Sequence, residues 1–220
     1  MSPLPKESGK LNVAVIEGFH PFNVPQWHAM FRALEGVHYF QQTIDNWAAD
    51  WGNCRKDYDV ALFYNMNMDM KASPFADAID KALRELGDTK QGLVVLHHAI
   101  LSYPDNPVWS EIVGIKDRAF DYHVDQDLTV EIANESHPIA KDLRPWPLHD
   151  ETYTMADAGE GSEILFTAQH PKSMKTLGWT RTHRNTRVFC FQPGHDNHAW
   201  ENVTFREVLL RGIRWAAGKL

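Results

Sequence analysis

Cysteine is scarce in this chain, with two among 220 residues, Cys54 and Cys190. Spaced that far apart, they offer neither a zinc-ligand pattern nor a disulfide framework, and idle thiols in a reducing cytoplasm are expected. Basic charge is also short. Twenty-two Lys and Arg stand against 29 Asp and Glu, a net charge of −7 with histidine neutral, so the footprint needed for a nucleic-acid backbone is missing. Long apolar runs are missing too: stretches such as 92–96 (GLVVL) are far too short to span a bilayer. The opening residues MSPLPKES lack the apolar core and cleavage pattern of a secretory signal. Together these absences predict a cytoplasmic protein with neither membrane nor nucleic acid as a partner.

The chain is rich in histidine, with twelve residues, and in tryptophan, with eight, inside an ordinary folded composition of 43% hydrophobic and 23% charged residues. The length suits one domain, expected over 11–218 after a tail at 1–10. A buried strand is expected at 11–17. Trp27, Met30, Phe31 and Leu34 then follow at helical spacing, with Gly36 as the stop. Residues 37–43 read as a second strand, a Trp/Asp/Asn-rich loop follows, and 58–64 is the third. Ser73-Pro74 predicts a capped helix start, and 92–96 is strand four. Extended segments are expected at 121–133, 163–169, 176–182 and 187–192, with a Pro/His-rich loop at 136–148. A carboxy-terminal helix begins at a capping box, Thr204-Phe205-Arg206-Glu207. The repeated strand–helix alternation implies a mostly parallel sheet covered by helices on both faces.

In such a sheet, ligands bind beyond the carboxyl ends of the strands. The loops expected there carry His20, Asn65, the pair His97-His98, and the segment Gly194-His195-Asp196-Asn197-His198. Neighbours in a persisting strand alternate sides, so at most one of His97 and His98 is expected to face a shared pocket. His149-Asp150-Glu151-Thr152-Tyr153 is the densest polar cluster of the middle; it reads equally as a solvated turn or as a source of catalytic carboxylate. Trp109 and Trp200 lie near these histidines and could wall a sugar-binding pocket. Two catalytic motifs are absent. No Gly-x-Ser-x-Gly or Gly-x-Cys-x-Gly elbow follows 92–96. Gly18-Phe19-His20-Pro21 lacks the glycine spacing of a phosphate-binding loop.

The stretch 93–114 (LVVLHHAILSYPDNPVWSEIVG), His137-Pro138-Ile139 leading to His149–Tyr153, Gly178-Trp179-Thr180, and 187–217 (RVFCFQPGHDNHAWENVTFREVLLRGIRWAA) resemble the ThuA-like, or trehalose-utilisation, family. The resemblance runs in order from about residue 11 to 217. It implies a class I glutamine amidotransferase-like fold, a flavodoxin-like three-layer α/β/α sandwich with a mostly parallel sheet. It also implies a setting in the metabolism of trehalose and related oxidised disaccharides. Amidotransferases carry a cysteine after the strand equivalent to 92–96; here His97-His98-Ala99 stands in its place, so thiol-dependent glutamine hydrolysis is not expected. The chain departs from the family pattern at Gly114-Ile115 and at Thr182-His183-Arg184-Asn185, which puts substrate identity in question.

The expectation is therefore a sugar-modifying enzyme of hydrolase or isomerase type, acting on a sugar or keto-sugar ligand. His20, His98 and His195 would polarise a hydroxyl or carbonyl, directly or as ligands of one divalent metal such as zinc. Glu151 would transfer protons, and Asp196 would orient His195. Asn65, His97, Trp109, His198 and Trp200 would line the substrate pocket. The competing reading is a non-catalytic carbohydrate-binding or regulatory module on an amidotransferase fold. Assembly into a homo-oligomer is left open by the sequence.

Overall fold

The computed structural model describes residues 4, 5 and 9–220. Its first half follows the expected alternation. Strands β1 (Leu11–Glu17), β2 (Val37–Thr43), β3 (Val60–Phe63) and β4 (Gly92–Leu96) alternate with helices α1 (Val24–Arg32), α2 (Ile44–Ala49) and α3 (Ala76–Arg84). Helix α4 (Pro107–Val113) leads to β5 (Phe120–Ile132), β6 (Trp146–Met155), β7 (Glu163–Thr167), β8 (Thr176–His183) and β9 (Thr186–Phe191). Helices α5 (Asn197–Glu201) and α6 (Val203–Ala216) close the chain.

The nine strands form one sheet in the order β2-β1-β3-β4-β9-β8-β7-β5-β6. β2, β1, β3, β4 and β9 are parallel, in the order of a flavodoxin-like sheet. The remaining pairings, β9 to β8, β8 to β7, β7 to β5 and β5 to β6, are all antiparallel. The sheet is thus mixed, and the expectation of a mostly parallel one is corrected. β8, β7 and β5 are joined without helical crossovers, so the chain has no means to run them parallel.

The parallel half is covered on both faces because its inner strands β1, β3, β4 and β9 are largely apolar and present alternate residues to each side. Val13 and Val15 pack with Trp27, Met30 and Phe31 of α1 and with Phe205, Leu209 and Ile213 of α6. Ala14 and Ile16 pack on the other face with Trp47 of α2, Leu83 of α3 and Ile112 of α4. Gly212 is part of this fit: a Cβ there would stand 2.1 Å from the Phe189 ring of β9.

Several local expectations change. The Trp/Asp/Asn-rich segment contains α2, because Thr43 caps Asn46 N and the helix buries Ile44 and Trp47. Ser73 instead accepts from Phe75 N, one turn ahead of α3. The cap of α6 is Asn202, whose side chain accepts from Thr204 N and Phe205 N, and not Thr204. Of the expected tail, residues 1–3 and 6–8 lie outside the described residues, while Leu4 is buried in the second core cluster. The cluster His149–Tyr153 is a strand. β5 and β6 form a long ribbon, and only Glu131 and Ile132 of β5 pair with β7. The rest of the ribbon brings β6 over the carboxyl ends of β4 and β9. No helix among the described residues is long and apolar enough to cross a membrane.

Candidate functional site

At the end of β4 the strand stops abruptly. His97 takes a left-handed backbone, φ +52°, and begins a single 3₁₀ turn over His97–Leu101. The alternation expected of a strand is broken there, and both imidazoles enter one cluster. The His97 and His98 ring centroids are 5.1 Å apart, His98 to His20 4.4 Å, His20 to His195 5.5 Å, and His97 to His195 5.3 Å. Four imidazoles from the loops after β1, β4 and β9 thus share one site.

Two of the rings, His97 and His98, are fixed by a carbonyl or hydroxyl. His97 Nδ1 donates to Gln192 O at 2.7 Å, and the Tyr153 hydroxyl donates to His97 Nε2 at 2.8 Å. His98 Nε2 donates to Tyr64 O at 2.6 Å, and its buried Nδ1 has no hydrogen-bond partner among the described residues. Burial, with the neighbouring His97 and His20, holds His98 well below the usual imidazole range; burial, with His195 and His97, lowers half-buried His20. Tyr64 braces the last loop: its hydroxyl sits 3.0 Å from both Gly194 O and His195 O. Its ring packs against Trp27 and His98.

The ribbon supplies the carboxylates. Glu151 Oε1 lies 3.4 Å from His97 Nε2 and 3.4 Å from His195 Nδ1. Burial works to raise the Glu151 pKa, but His195 and His97 outweigh it and hold the group well below the usual carboxylate range. Reciprocally, Glu151 raises His195, against burial. Asp150, fully buried, accepts from the backbone N–H groups of Gly194 (2.6 Å), His195 (3.0 Å) and Glu151 (2.9 Å). Burial raises its pKa, opposed by His97 and by those three donors. Gln192 links the two sides: its carbonyl holds His97, and its Nε2 donates to Glu151 O at 3.0 Å.

His20, His97, His98, Glu151 and His195 therefore come together. Asp196 faces elsewhere, capping α5 by accepting from His198 N at 2.8 Å, and the backbone of His195 is held by Asp150 instead. Asn65 turns its Nδ2 to the Tyr103 hydroxyl (2.7 Å). Trp109 is buried in the second core cluster with its Nε1 on Ala99 O. Trp200 is buried in the first, donating to Gly194 O at 2.9 Å, behind the His195 loop. His198 is exposed, its ring tilted against that of His149 with centroids 4.9 Å apart. The anchoring roles of Asp150, Tyr153, Tyr64 and Gln192 are not evident from sequence. One signal was available: Glu151 and Tyr153 stand two apart, so a strand places them on one face.

Among the described residues, the His, Cys, Asp and Glu atoms that converge closely enough to hold one ion are those of His97, Glu151 and His195. That set shares His195 with the one expected from sequence and takes His97 and Glu151 in place of His20 and His98.

The family model for trehalose utilisation, ThuA, matches residues 13–216. No curated protein matches the chain in sequence. A putative ThuA-like protein from Parabacteroides merdae has a similar structure, with a TM-score of 0.76 at 20% identity, covering 96% of this chain and 91% of its own. A cytoplasmic protein from Salmonella typhimurium gives 0.69 at 11% identity, over 94% and 99%. A glutamine amidotransferase from Thermotoga maritima gives 0.58 at 8% identity, over 94% and 98%. At these identities the likeness is one of fold.

Proposed function

The chain belongs to the ThuA family of trehalose utilisation, and from that membership and the pocket geometry we propose a cytoplasmic enzyme acting on a sugar or an oxidised (keto) sugar derivative. The carrying observation is the convergence of four imidazoles and the Glu151 carboxylate at the carboxyl ends of β1, β4 and β9. In this reading the centre made by His97, Glu151 and His195 polarises a hydroxyl or carbonyl oxygen of the sugar. His20, the half-buried member of the cluster, takes and returns the proton on the adjacent atom, as an isomerase- or hydrolase-type reaction requires. His98, fixed by Tyr64 O, packs against His20 and sets its position. Glu151 serves as a standing negative charge, since its two partners keep it ionised and make it a weak base.

Thiol-dependent glutamine hydrolysis is not part of this reading. His97 occupies the turn after β4, and Cys190 is buried in β9, where burial pushes its thiol up. The test is conversion of trehalose and its keto derivatives by the purified chain, followed by NMR. Turnover of at least one sugar is expected, and His20→Ala and His195→Ala should each lower it by about 100-fold or more with unchanged circular dichroism. Unchanged activity in both variants rejects the reading. Sugar binding by the folded chain with no conversion would favour the carbohydrate-binding module instead.

A further inference from the structure

We propose that His97 Nε2, Glu151 Oε1 and His195 Nδ1 form a binding site for one divalent transition-metal ion of the zinc type. The three separations are nearly equal: 3.3 Å between the two imidazole nitrogens, and 3.4 Å from Glu151 to each. An ion held tetrahedrally at about 2.0–2.1 Å places its ligand atoms about 3.3–3.4 Å apart, the edge of the tetrahedron. Hydrogen bonds between the same groups would close to about 2.7–3.0 Å and would favour one pair over the others. A nearly equilateral triangle, at the long limit of hydrogen bonding, is the spacing that a shared cation requires.

The protonation pattern agrees. Gln192 O can only accept, so His97 Nδ1 carries the proton and Nε2 turns its lone pair toward the triangle. A ligating imidazole whose other nitrogen donates to a backbone carbonyl is the common arrangement at metal centres. Gln192 ties two of the ligands at once, His97 by its carbonyl and Glu151 by its side chain. Asp150 holds the third through the His195 backbone. Two histidines and one glutamate leave a fourth position for substrate or water, the donor count of a catalytic zinc site. Bound there, an ion would supply Lewis-acid polarisation of a substrate oxygen. The Tyr153 hydroxyl, now on His97 Nε2, would pass its hydrogen bond to the Glu151 carboxylate. His98 is committed to Tyr64 O, and His20 is not among the converging atoms.

The inference rests on the proposed function only for what the ion would do; ion binding itself is read without any sugar. The full chain, stripped with a chelator, is titrated with Co²⁺ by visible absorption and with Zn²⁺ by calorimetry. One equivalent per chain and a tetrahedral cobalt spectrum are expected. Glu151→Gln, nearly the same in shape, and His97→Asn should each weaken binding about 100-fold or more, while His20→Asn leaves it within a few-fold. Circular dichroism and thermal melting identify any variant that fails to fold, and the remaining ligand variant then decides. Absence of binding by the folded natural chain overturns the proposal. So does binding that survives Glu151→Gln but is lost in His20→Asn, which would move the ion to the histidine set. Ion binding without sugar turnover would overturn the proposed function alone.

Discussion

The parallel and antiparallel halves of the sheet contribute to the histidine cluster in different ways. The parallel half delivers its groups on loops: His20 after β1, His97 and His98 after β4, His195 after β9. The antiparallel half delivers Asp150, Glu151 and Tyr153 from within a strand, β6, which arches over those loops. Loop residues are easily varied but poorly fixed; strand residues are fixed by their ladder. Here the second kind holds the first in place, and Asp150 is the clearest instance, a buried carboxylate spent on the backbone of the neighbouring histidine loop.

Removing that anchor should break the comparison most severely. Asp150→Ala leaves three buried N–H groups without an acceptor, at about 1–3 kcal/mol each, so a stability loss on the order of 3 kcal/mol or more is expected in denaturant titration. Ion binding and sugar turnover should fall with it, and Asp150→Asn, which keeps one acceptor oxygen, should recover part of both. A loss of stability with intact ion binding would show that the ribbon only packs against the loop. Next in size is Gly212→Ala in the parallel half. Its Cβ meets the Phe189 ring, and such overpacking costs about 1–3 kcal/mol. The cobalt spectrum should be unchanged, because this fit supports the core and not the pocket.

Asp196→Ala should cost about 1 kcal/mol, the worth of a helix cap, with turnover preserved. A rate loss far exceeding the stability loss would return Asp196 to the role of orienting His195. The smallest effect concerns His183, at the end of the β8–β9 hairpin away from the pocket. Burial, with nearby Arg184, lowers its pKa. The unfolded chain therefore takes up the proton first, near pH 6.5, so this contribution is complete above that pH and is lost as pH falls through the folded value. His183→Gln should flatten that part of the stability profile between pH 7 and 5 by under about 1 kcal/mol.

The two halves also differ in how far they can be read from sequence. β1, α1, β2, β4 and α6 follow local periodicity, because each buries an apolar face next to its sequence neighbours. β6 escaped that reading. Pro147, His149, Asp150 and Glu151 look like a solvated turn, yet Asp150 and Glu151 are buried, satisfied by Gly194, His195 and His97 from distant parts of the chain. No local pattern records such partners. The histidine loops were legible because the topology fixes where strand ends gather. The convergence of His97, Glu151 and His195 was not, since the alternation rule assumes that β4 continues through His97. Asp196, Trp109 and Trp200 were placed near the pocket by sequence distance, but they meet the cap of α5 and the two core clusters.

The left-handed backbone of His97 carries a consequence beyond the present chemistry. A non-glycine residue in that conformation costs about 1–3 kcal/mol, and the cost is set by the route of the main chain from β4 into its 3₁₀ turn, whatever side chain sits there. The scaffold therefore presents one mounting point whose backbone expense is already met. A side chain exchanged at residue 97 would follow the same main-chain route, and its fit would be decided by Gln192, Tyr153 and the neighbouring imidazoles.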